Sequence, residues 1–150
     1  MMENSKHPPI GRLLLDAFKW FDESLLVSLK EQGWPEISHS QSVVMAYLDS
    51  DGIRISELAR RLGISRQAAQ KSVSELEIAK LVKTEIDPTN LSAKTVVLTT
   101  QGKAIVTAAL ATFSEIEQQL SERVGVPDVA KMRITLEKDW GAPIVVKREK

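Results

Sequence analysis

The chain has 150 residues, 43% of them hydrophobic and 27% charged, with 20 Lys and Arg balanced by 20 Asp and Glu. That length suits one domain with a proper core. No run is long and apolar enough for a membrane helix, and the start "MMENSKHPPIGR" has no signal-peptide core, so a cytoplasmic protein is the expectation. The absence of cysteine excludes disulfides, thiol chemistry and cysteine zinc sites, and His7 and His39 lie too far apart in sequence to suggest a metal cluster.

The balanced charge hides a basic middle. Residues 1–51 hold four Lys and Arg against eight Asp and Glu, residues 52–100 eight against five, and residues 101–150 eight against seven. One cationic face on an otherwise neutral molecule is expected.

After Pro8 and Pro9, the apolar positions Leu14, Phe18, Phe21, Leu25 and Leu29 recur at steps of four and three, and Leu13, Leu15 and Leu26 widen the stripe. This is one face of a long helix, which "EQGWPEI" ends through Gly33 and Pro35. Ser38 and Gln41 fit a capping box for a short helix through Val43, Val44, Tyr47 and Leu48, closed by the turn signal "DSDG". A third helix uses Leu58, Ala59 and Leu62 and stops at Gly63, the residue type that tolerates a left-handed C-cap. Ser65 is the expected N-cap of a fourth, residues 65–78, with Ala69, Val73 and Leu76 on its inner side.

From Leu81 the period drops to two. Val82, Thr84 and Ile86 share one face, as do Val96 and Leu98, which predicts an antiparallel hairpin joined by the eight-residue loop "DPTNLSAK". Ile105, Ala109, Phe113, Ile116 and Leu120 then mark a second long helix. Gly125 and Pro127 interrupt it, and Val129, Met132, Leu136 and Trp140 indicate a short last helix before a basic tail. No repeat or linker is apparent, so residues 1–150 read as one domain.

Two short helices joined at a glycine form a helix-turn-helix pattern. A recognition helix enters the major groove by its first turns, which need small residues for close approach and long side chains that reach base edges. The outer side of the fourth helix offers Arg66, Gln67, Gln70 and Lys71. Ser65 is a candidate for phosphate contact, with Arg54, Arg60 and Arg61 weaker candidates for backbone contact. The ordinary alternative for each residue taken singly is a solvated helix surface.

With these residues in place, residues 41–102 resemble the winged-helix core of MarR-type transcription regulators. The resemblance rests on "SELARRLGIS", "SRQAAQKSVSELE", "LVKTEIDP" and "VVLTTQG" in that order, and extends more loosely over about residues 10–140. It implies a mainly α fold with a small β-hairpin wing, a DNA-binding core of about 38–102, and dimerisation helices at about 10–30 and 102–140. It further implies a homodimer on a palindromic operator of double-stranded DNA, often a repressor, released by a small aromatic or phenolic ligand; no cofactor or metal is implied. The wing departs from the family pattern. Leu91 and Ser92 stand where arginines that enter the minor groove are usual, leaving Asn90 and Lys94 as the nearby polar groups.

A twofold dimer sets two recognition helices about 34 Å apart, one turn of DNA. Leu14, Phe18, Phe21 and Leu25 on the first helix, and Phe113, Ile116, Leu120, Leu136 and Trp140 near the C-terminus, are the candidate dimer residues. Trp20 and His39 lie where a ligand between dimer helices and wing domain could act. No nucleophile motif appears, and Gly102-Lys103 lacks the glycine spacing of a phosphate loop, so an enzyme is not expected. The competing reading is a winged-helix module that binds protein, favoured by the neutral charge and the wing without arginines.

Overall fold

A computed structural model of the chain describes residues 7–48 and 51–149, apart from the side chains of Leu91 and Ser92. The first six residues, and Asp49 and Ser50 of the "DSDG" signal, lie outside it. The described elements are α1 (Ile10–Glu31), α2 (His39–Ala46), β1 (Ile53–Arg54), α3 (Ile55–Leu62), α4 (Arg66–Ile78), β2 (Val82–Asp87), β3 (Asn90–Leu98), α5 (Thr100–Val124) and α6 (Val126–Glu137). The mainly helical fold with a small hairpin follows the expectation.

The local signals act as chemistry requires. Ser38 and Gln41 complete a capping box on α2, satisfying amides that have no partner inside the helix. Gly63 takes φ 66° at the end of α3, where a side chain would strain the backbone. Ser65 Oγ accepts the Ala68 amide at 3.0 Å to start α4.

The core gathers Leu25 and Leu29 of α1, Val44 and Met45 of α2, Leu58 and Ala59 of α3, and Ala69, Val73 and Leu76 of α4. Leu81, Val82, Val96, Leu98 and Ile105 close it from the hairpin and α5. Because the inner residues of α4 recur at helical spacing, burying them turns the rest of that helix outward.

Three expectations need correction. The hairpin loop is not eight residues long: Asp87 pairs with Asn90, and Ile86 with Lys94, so most of "DPTNLSAK" is strand. Asp87 Oδ1 accepts the Thr89 amide at 2.8 Å and the Thr89 hydroxyl at 2.7 Å, a turn that Asp-Pro favours. Next, a short strand was missed: β1 pairs with β3 through Ile53 with Val96 and Arg54 with Thr95, giving the sheet order β1-β3-β2. Finally, Leu25 is only 5% exposed and packs in the chain's own core, so that side chain has no surface left for a second copy.

The chain divides into two compact units, Met1–Ile116 and Glu117–Lys150. The core lies in the first. In the second, α6 has no buried residue. Arg133 there pairs with Glu117 and reaches Glu137 at 3.8 Å, and Trp140 Nε1 donates to the Thr135 carbonyl at 3.0 Å.

Candidate nucleic-acid interface

Burial of Ala69, Ser72, Val73 and Leu76 leaves Arg66, Gln67, Gln70 and Lys71 exposed together on the outer face of α4. Arg66 and Gln70 are one helical turn apart, so their side chains lie on one stripe. Both line a cleft of about 230 Å³ whose other walls are Arg54, Ile55 and Ser56 at the β1–α3 junction and Ala93 and Lys94 of β3. Three segments distant in sequence therefore place three cations and a glutamine around one space. Gln67 and Lys71 are exposed beside it on α4, and Asn90 lies at the hairpin turn.

Ion pairing sorts the cations. Arg60 meets Glu57 through Nη2 at 2.6 Å and Nε at 2.9 Å, and Arg61 Nε meets the same carboxylate at 3.0 Å. Two of the three weaker candidates are thus already neutralised. Arg54 contacts Asp87 Oδ2 through Nη2 at 2.5 Å and Nε at 3.2 Å. Among the described residues Arg66, Lys71 and Lys94 have no such partner, so their charge is available to an anion.

Asp87 is held down to about 2, first by the Thr89 hydroxyl, then by the Thr89 amide and by Arg54. A carboxylate depressed below its unfolded value of about 4 contributes stability that is complete above that pH and is lost as pH falls through the folded value. Asp87→Asn mimics the protonated form. Its effect on the urea midpoint is therefore expected to be constant from neutral down to about pH 5 and to vanish between about pH 4 and pH 2; an unchanged difference at the acid end would contradict the assignment.

The sequence reading missed two carboxylates. Asp87 was passed over as a turn residue, although an Asp before Pro is the available signal. Asp22, 4% exposed on α1, accepts from Ser42 Oγ at 2.7 Å and pairs with His39 Nδ1. No local pattern marks it. His39 thus serves as a link from α2 to α1, while Trp20 packs edge-on against Phe21 with ring centroids 5.1 Å apart.

Comparison with known proteins decides the family. A MarR family profile matches residues 37–90. The HTH-type transcriptional regulator TcaR of Staphylococcus aureus strain Newman is 32% identical over 106 residues, 68% of this chain and 69% of TcaR. The chain belongs to the MarR family.

Solved MarR-family structures share the fold. Wild-type Escherichia coli MarR in its apo form superposes with a TM-score of 0.72 at 22% identity, covering 88% of this chain and 97% of that one. A Staphylococcus aureus MepR mutant bound to an oligodeoxyribonucleotide does so with a TM-score of 0.59 at 22% identity, over 87% and 94%. This MarR-family chain is a DNA-binding transcriptional regulator, and the protein-docking alternative gives way. Among the described residues no helix is long and apolar enough to cross a membrane.

Proposed function

We propose that this regulator is a cytoplasmic homodimer that reads a palindromic operator through the 65–78 helix and acts as a repressor. Arg66, Gln67, Gln70 and Lys71 face base edges, Ser65 caps the helix beside a phosphate, and Arg54, Asn90 and Lys94 contact the backbone. The carrying observation is the cleft that unites Arg66, Gln70 and Lys94 while Arg66 and Lys94 remain without ion pairs among the described residues. Arginine pairs with guanine O6 and N7, and glutamine with adenine N6 and N7, so this stripe suits the major groove.

Exposed apolar side chains support the dimer. Phe18 is 53% exposed in the first unit, and Leu136 47% and Trp140 62% in the second, apolar surface that a second copy would cover. Leu14, Phe21 and Leu120 are half-buried, and Phe113 and Ile116 sit partly against the core with an outer edge left over. A small aromatic ligand that favours one spacing of the two recognition helices would release the operator, because only differential affinity for two states shifts their balance.

The test is selection from random duplexes, followed by anisotropy titration at two salt concentrations and sedimentation of the complex. An inverted repeat bound by two chains, with affinity falling steeply as salt rises, is the expected result. Selection of no preferred sequence, or a single chain on a single half-site, would overturn the reading.

A further inference from the structure

The hairpin turn and the start of β3, "DPTNLSA" at 87–93, contain no lysine or arginine. Of the two lysines in the hairpin strands, Lys83 is tied to Glu85 at 3.2 Å. The hairpin's own tip therefore brings no cation to a phosphate. Beside it stands Arg54, carried in by β1, whose register opposite Thr95 of β3 lets it reach across that strand to Asp87 on β2. Arg54 uses Nε and Nη2 on Asp87 Oδ2, and a guanidinium has five N–H donors in a rigid fork. Among the described residues Nη1 has no hydrogen-bond partner, and Arg54 lines the same cleft as Arg66, Gln70 and Lys94.

Asp87 is itself immobilised. Its second oxygen accepts both the amide and the hydroxyl of Thr89, so the carboxylate cannot swing away from the arginine. A held arginine loses less rotamer freedom on meeting an anion than a loose one does. Against this, a negative charge close to DNA repels phosphate. Donors on both of its oxygens offset much of that repulsion.

We propose that Asp87 is a positioning residue for Arg54, and that Arg54, so held beside the hairpin turn, makes the phosphate contact that the turn's own residues cannot make. The assignment rests on the DNA-binding reading above. Asp87 serves the interface by orientation, although its charge has the wrong sign for contact.

The experiment titrates the full chain on its selected duplex at several salt concentrations, with Arg54→Gln, Asp87→Asn and the double variant. Asparagine still accepts from Thr89 in the same turn, and a thermal melt of each variant checks the fold. Arg54→Gln is expected to lower the slope of log affinity against log salt by about 1.8, the loss of one phosphate contact in each half-site, with affinity down at least about tenfold. Asp87→Asn, despite removing a negative charge, is expected to weaken binding about threefold with Arg54 present and not at all in the Arg54→Gln background.

Tighter binding by Asp87→Asn would mean that the carboxylate merely repels DNA, and would overturn the proposal. So would an equal loss in both backgrounds, which would place its effect in the turn, or an unchanged salt slope for Arg54→Gln. A wild-type chain that selects no duplex would instead remove the DNA-binding reading, and this assignment with it.

Discussion

Gly102→Ala is expected to cost about 3 kcal/mol or more, at the upper end of overpacking effects. An alanine Cβ at this position would lie 2.0 Å from the Leu81 carbonyl oxygen, 3.0 Å from its carbon and 3.2 Å from Leu98 Cδ2. The nearest obstacle is backbone, which no rotamer change can move. It is also backbone in use: Leu81 O accepts the Thr99 amide at 3.0 Å, and Thr99 Oγ1 donates to Lys80 O at 2.7 Å and accepts the Gly102 amide at 3.0 Å.

Alanine must therefore lift the first turn of α5 from the α4–β2 junction, unpacking Leu81, Leu98 and Ile105 together. For a chain of this size the melting temperature should fall by about 6 to 12 °C, or the folded form should not accumulate. Gly11→Ala is the control. It lies in α1 with nothing within 4 Å of the added carbon, and alanine's better helix propensity should leave the chain unharmed. A Gly102→Ala melt within a degree or two of wild type would refute the packing account.

The second large effect concerns recognition. Arg66→Ala and Gln70→Ala are each expected to lose about 1 to 3 kcal/mol of discrimination at one base position per half-site, while binding to unrelated duplex changes far less. Lys94→Ala should act differently: affinity falls evenly across sequences and the salt slope drops by about 1.8, one contact per half-site. The contrast follows from placement. Arg66 and Gln70 project from the first turns of α4, where a groove floor would lie, and Lys94 projects from a strand at the cleft's edge. Competition titrations with single-base operator variants measure both. Equal, sequence-blind losses from all three substitutions would contradict these roles.

Much of the site was legible in advance because its determinants are local. The Gly63 turn, the Ser65 cap and the Ala69, Val73 and Leu76 stripe each depend on groups within about one helical turn, and so does the outward direction of Arg66 and Gln70. The ion pairs of Arg60 and Arg61 with Glu57 were within the same reach, at i,i+3 and i,i+4, and could have been read from spacing.

The amino-acid order by itself determined the helices, their caps and which face of α4 is polar, since hydrogen bonds and side-chain spacing within four residues carry that information. Only tertiary structure decided that Leu25 faces inward while Phe18, on the same stripe, faces out, because periodicity defines an apolar side without saying what covers it. The two residues of β1 have no pattern of their own; pairing with Val96 and Thr95 makes them a strand. That pairing brings Arg54 to Asp87 and beside Lys94. Contacts across so long a stretch of chain depend on the sheet register and not on local spacing, which is why the composition of the cleft emerged only from the fold.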